Sequence, residues 1–74
     1  MNSDYRNAVE IHSEMVYRLA ITATGKIYDA EDITQNVFLK LLKNKKKFTD
    51  EEHQKAWLIK VTMNEIKLFK NEEL

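Results

Sequence analysis

The 74-residue chain has no cysteine, no proline and one glycine, Gly25. The missing cysteine excludes a disulfide framework and any thiolate metal site. With no proline and one glycine, the chain lacks the turn residues that a β-sandwich or barrel needs at its many corners. No apolar run approaches the length of a membrane span, and the polar N-terminus carries no apolar targeting core. Cytoplasmic residence is therefore expected, with no membrane partner. What remains is 43% hydrophobic and 32% charged, the composition of a folded helical domain rather than a disordered chain. A chain this short buries only roughly 60% of its unfolded surface, so its core is small. The expectation is one all-α domain over residues 1–74.

The formal net charge is zero, but it is unevenly spread. Residues 1–39 hold three basic side chains against six acidic ones, whereas residues 40–70 hold nine lysines against four acidic ones. Such asymmetry can mark two different partners or simply two solvated faces.

Three helices read out, over about residues 5–24, 29–44 and 50–71. In the first, Tyr5, Ala8, Val9, His12, Val16, Leu19, Ala20 and Ala23 recur at helical spacing. Gly25 follows, where a helix commonly ends in a left-handed residue. The second helix is expected to start at Asp29, whose short carboxylate can cap free N–H groups. Ala30, Ile33, Val37, Phe38, Leu41 and Leu42 form its inward face. Thr49 and Glu52 have the spacing of a capping box, which starts the third helix at Asp50. Trp57, Leu58, Val61, Glu65, Leu68 and Phe69 line one side of that helix, and Ile59, Met63 and Ile66 another. The two stripes together are wider than one core needs. Short connections favour packing of consecutive helices into a bundle.

Catalytic chemistry has little support. His12 and His53 lie on different helices without metal-ligand spacing, and His12, on the apolar stripe, reads as a satisfied core histidine. There is no glycine-rich phosphate loop, and Ser13 has no triad context. A helix N-terminus accounts for Asp29, Glu31 and Asp32 more simply than paired catalytic carboxylates do. No enzyme activity, cofactor or metal is expected.

The second helix is more informative. With Ala30, Ile33, Val37 and Phe38 inward, Asp32, Gln35, Asn36 and Leu39 fall at i, i+3, i+4 and i+7 on an adjacent face. An acid, two amides and an exposed leucine suit the docking of another helix better than plain solubility.

At these residues the chain resembles region 2 of bacterial sigma factors, most closely the extracytoplasmic-function group. The resemblance rests on Met15-Val16-Tyr17-Arg18-Leu19-Ala20, on the run Asp29 to Leu41 (DAEDITQNVFLKL), on Phe48, and on Ala56-Trp57-Leu58-Ile59-Lys60-Val61 with Asn64. It covers roughly residues 5–70. It implies a compact helical bundle that acts in transcription initiation. In the family, the D-x-x-Q face binds the clamp helices of the RNA polymerase β′ subunit, which carries that role to Asp32, Gln35, Asn36 and Leu39. The stretch that follows opens the minus-ten promoter element and holds bases of the single-stranded non-template strand. Here it corresponds to Lys45 through Lys55 and the exposed face of the third helix. An anti-sigma factor is a further partner the resemblance implies.

The chain also departs from the family. The usual R-G-x-x-S-F loop is replaced by Thr49-Asp50-Glu51-Glu52-His53-Gln54, which is acidic and has no glycine. The last helix, often A-x-N-x-x-x-D-x-x-R, has Leu68 for the acid and Lys70 for the arginine. No second promoter-reading domain is expected within these residues, which fits an excised domain or a truncated relative.

The DNA-facing candidates are Lys45, Lys46, Lys47, His53, Gln54, Lys60, Asn64, Lys67 and Lys70. Lys60 and Lys67 are seven apart and share a helical face with Asn64 between them. Lysines there can neutralise phosphates, and the Asn64 amide can meet a base or phosphate. Phe48 could offer a stacking plane. The lysine run at 45–47 can equally complement the C-terminal dipole of the second helix. Two rival readings stand beside the sigma one. The first is a sigma-like interaction module that binds polymerase or an anti-sigma factor without reading DNA. The second is an unrelated helix-turn-helix domain, disfavoured by the absence of a glycine turn at 44–49.

Overall fold

The computed structural model describes residues 3–72. Three helices follow in order: α1 (Ser3–Thr24), α2 (Ile27–Lys43) and α3 (Glu51–Glu72). No strand occurs among the described residues, and every helix packs on both others. The bundle measures 37 × 21 × 19 Å.

Gly25 makes the first corner. Its φ of 70 places it in the left-handed region, and its N–H closes the end of α1 by donating to the Ile21 carbonyl at 2.8 Å. A side chain would be strained at that φ, so the lone glycine sits where only glycine is cheap. The chain then enters α2 two residues before the expected start. Lys26 is the N-cap and makes no side-chain cap bond; Asp29 lies inside the first turn. Its carboxylate thus complements the helix dipole but does not cap. The second corner follows Lys43. The Asn44 N–H donates to the Leu41 carbonyl at 3.1 Å, and its side-chain amide donates to the Lys46 carbonyl at 2.8 Å.

Entry into α3 is shifted by one residue from the expected capping box. Asp50, not Thr49, is the cap: its carboxylate accepts the His53 N–H at 2.8 Å, and its carbonyl accepts the Gln54 N–H at 3.2 Å. The reciprocal bond comes from His53 rather than Glu52, because the His53 ring accepts the Thr49 N–H at 3.1 Å.

Ala8, Val16, Ala20, Ala30, Ile33, Val37, Phe38, Leu41, Leu58 and Ile66 form the buried core. Leu58, Val16 and Val37 are fully buried, and a side chain of this kind stabilises by about 1.5–3 kcal/mol on burial. Three expectations need correction. Leu42 is 52% exposed and lies outside the core. On α3 the buried row is Leu58, Thr62 and Ile66, so the two stripes read from sequence meet on a threonine. Thr62 is tolerated there because its hydroxyl donates to the Leu58 carbonyl at 2.6 Å, which leaves its methyl to pack. His12 is buried as expected, but it is not satisfied: its Nε2 finds no hydrogen-bond partner among the described residues.

Polar contacts also fasten helices across the bundle. The Tyr5 hydroxyl donates to the Phe38 carbonyl at 3.2 Å, joining α1 to α2. The Lys40 ammonium meets the Glu65 carboxylate at 2.7 Å, joining α2 to α3. That pairing explains a glutamate on the otherwise apolar side of α3.

Candidate functional site

The outward side of α2 is set by its inward one. Once Ala30, Ile33, Val37 and Leu41 face the core, Asp32, Gln35, Asn36 and Leu39 are left exposed together. Asp32 and Gln35 border a depression with Tyr28, Asp29 and Glu31. Gln35 also borders a second one, shared with Ser13, Glu14 and Tyr17 of α1. The face therefore leans toward α1 on its Gln35 side. Lys40, engaged with Glu65, marks the opposite edge, toward α3.

Two residues join this face that sequence reasoning missed. Tyr28 is 85% exposed, four positions before Asp32; Leu42 is exposed three positions after Leu39. Tyr28 lies at the helical spacing of Asp32, Gln35 and Leu39. The signal is present in the sequence, but a helix that begins at Asp29 leaves Tyr28 outside it. Leu42 reads as core in the sequence because an apolar helix stripe has no fixed width there.

The expected nucleic-acid residues divide into three places. Lys45, Lys46 and Lys47 are exposed on the loop between α2 and α3. They edge a crevice at the end of the bundle with Gln54 of α3 and Tyr5 of α1. Asp4, Asp50 and Glu51 edge the same crevice, so the three lysines are set among carboxylates. Lys60, Asn64 and Lys67 are all exposed and share the solvent side of α3, away from the Leu58–Thr62–Ile66 row. Lys70, three residues beyond Lys67, lies at the edge of that side. It borders a groove between α1 and α3 together with Met63, Ile66, Glu14 and Arg18, and Arg18 is itself paired with Glu14 at 2.7 Å.

Phe48 and His53 are less free than the sequence suggests. Phe48 is half-buried against the core, edge-on to Trp57 with centroids 5.6 Å apart and to His53 at 5.2 Å. Its ring is committed to the elbow of the loop rather than offered as an open stacking plane. No group of three or more metal-ligating side chains gathers among the described residues. No helix among them is long and apolar enough to cross a membrane.

Comparison with known proteins bears on this arrangement. The profile of the Sigma-70 region 2 family matches residues 8–71, which takes in all but the first turn and a half of α1 and nearly all of α3. The chain belongs to the Sigma-70 region 2 family. Its type is that of the extracytoplasmic-function sigma factors. A curated relative, the ECF RNA polymerase sigma factor SigE of Mycolicibacterium smegmatis, is 34% identical over 56 residues. The aligned part is 76% of this chain but 21% of the relative, so the region 2 domain spans about a fifth of that protein. No solved structure matches the chain. Within this region 2 domain, the DAEDITQNVF run that carries the resemblance is the run that builds the exposed α2 face.

Proposed function

We propose that this region 2 domain acts in transcription initiation, docking on the β′ clamp helices of RNA polymerase through Asp32, Gln35, Asn36 and Leu39. The observation that carries the reading is the exposure of all four on one side of α2, in a chain of the Sigma-70 region 2 family. An acid and two amides supply directional hydrogen bonds, and Leu39, 46% exposed, supplies an apolar anchor. In the same reading, the solvent side of α3 meets melted minus-ten DNA. Lys60 and Lys67 neutralise phosphates and Asn64 meets a base or phosphate between them. Lys45, Lys46, Lys47 and Gln54 approach the strand from the loop and its crevice, while Lys70, on the α1–α3 groove, contributes least.

The carboxylates among Lys45–Lys47 favour a second reading, in which the domain binds polymerase or an anti-sigma factor and reads DNA poorly. Asp4, Asp50 and Glu51 lower the positive potential of the crevice and repel a phosphate strand. Titrating the domain with a β′ clamp-helix fragment and, separately, with a single-stranded minus-ten oligonucleotide tests both readings. Binding to the fragment and the oligonucleotide supports the first reading, and binding to the fragment alone supports the second. Binding to neither overturns both.

A further inference from the structure

The loop elbow is held by one side chain acting in two directions. The Thr49 N–H points at His53 Nδ1, 3.1 Å away, and the Thr49 hydroxyl oxygen lies 3.4 Å from the same nitrogen. A backbone amide can only donate, so Nδ1 must present its lone pair. In a neutral imidazole the ring proton then resides on Nε2. The His53 backbone N–H meanwhile binds the Asp50 carboxylate at 2.8 Å. The ring stands edge-on to Phe48 at 82°, and Phe48 in turn rests on Trp57. His53 thus touches residues 48, 49 and 50 in succession and ties them to the first turn of α3.

We propose that His53 is the positioning residue of the 48–50 elbow, acting through Nδ1 as an acceptor. The exposed ring then has one polar group left for a partner, the donor Nε2–H. On the nucleic-acid reading above, which this last step rests on, His53 meets acceptors only: phosphate oxygens, base carbonyl oxygens or unprotonated base ring nitrogens. Exocyclic amino groups find no acceptor on it. The residue expected from sequence to be a free reader is instead a one-sided one.

The intact chain allows a direct test. The 15N chemical shifts of the His53 ring should show the Nε2-protonated tautomer. His53→Asn puts an amide oxygen near the position of Nδ1, whereas His53→Gln puts its amide near Nε2 and leaves Thr49 without an acceptor. Thr49 amide exchange should stay near wild type in His53→Asn and accelerate about tenfold in His53→Gln, as expected for one lost local hydrogen bond. A ring protonated on Nδ1, or Thr49 protection equal in wild type and His53→Gln, overturns the elbow assignment. The wild-type tautomer is informative even if a variant fails to fold. For the donor, His53→Asn should weaken binding to a single-stranded minus-ten oligonucleotide about threefold or more. Unchanged binding in that variant overturns the donor role. Wild type that holds Thr49 as described but binds no oligonucleotide overturns the nucleic-acid reading and leaves the elbow assignment standing.

Discussion

Lys40 on α2 and Glu65 on α3 meet at 2.7 Å, although 25 residues separate them. The two ends of this pair are unlike. The Lys40 side chain is 51% exposed and Glu65 11%. Removing the lysine therefore strands a nearly covered carboxylate, whereas removing the glutamate strands a cation that water can reach. Lys40→Ala should cost more stability than Glu65→Ala. The coupling in a double-mutant cycle should be about 0.5–1 kcal/mol, shrinking in high salt. Urea melts of the four proteins at two salt concentrations check this. Equal single-mutant losses would show that Glu65 is solvated.

On the α2 face, Asp32→Ala and Gln35→Ala should weaken binding to the β′ clamp fragment while moving stability by no more than about 0.5 kcal/mol, the usual range for exposed positions. Tyr28→Ala belongs in the same series. An exposed aromatic beside Asp32 is the kind of residue that anchors an interface. Calorimetric titration paired with thermal melts distinguishes lost docking from lost folding.

The α3 face predicts a salt signature. Each phosphate neutralised on a single strand contributes a slope of about −0.7 in log K against log salt. Lys60→Gln and Lys67→Gln should each make the slope shallower by about that amount. Lys70→Gln, placed beside Met63 and Ile66 in the α1–α3 groove, should change it least. Fluorescence anisotropy with a labelled oligonucleotide across a salt series measures all three. An effect of Lys70 as large as that of Lys60 would place the strand across the groove.

His12 offers a stabilising substitution. Its Nε2 is buried without a partner among the described residues, and an unsatisfied buried polar group costs about 1–3 kcal/mol. His12→Leu should raise the unfolding free energy by about 1 kcal/mol, read by denaturant midpoint. Loss of stability instead would mean that the ring's shape matters more than its orphaned nitrogen.

The cap of α3 gives the last comparison. Asp50→Ala should cost about 1 kcal/mol, because it frees the His53 N–H at the helix start. Glu52→Ala should cost little, since no cap bond runs through Glu52 in the observed geometry. Thermal melts of the two variants rank them directly.

Helix existence and helix order were legible because they follow from local physics. Apolar residues recur at helical spacing, Gly25 is the one residue that enters the left-handed region cheaply, and the Asn44–Asp50 stretch breaks the pattern. The α2 face was legible for the same reason: once one side of a helix is apolar, the other side is determined. Only the tertiary structure decided how wide each buried stripe is. That width depends on where the neighbouring helices cross, which is why Leu42 lies outside the core and Thr62 inside it. Packing also decided which charges are engaged. Lys40 reads as one lysine among many until α3 brings Glu65 beside it, and His12 reads as satisfied until packing leaves its Nε2 with no partner among the described residues. The one-residue shift at the α3 cap has a similar origin. Thr49 and Asp50 both have capping side chains, and the choice between them fell to the residue whose neighbour, His53, could hold the preceding amide.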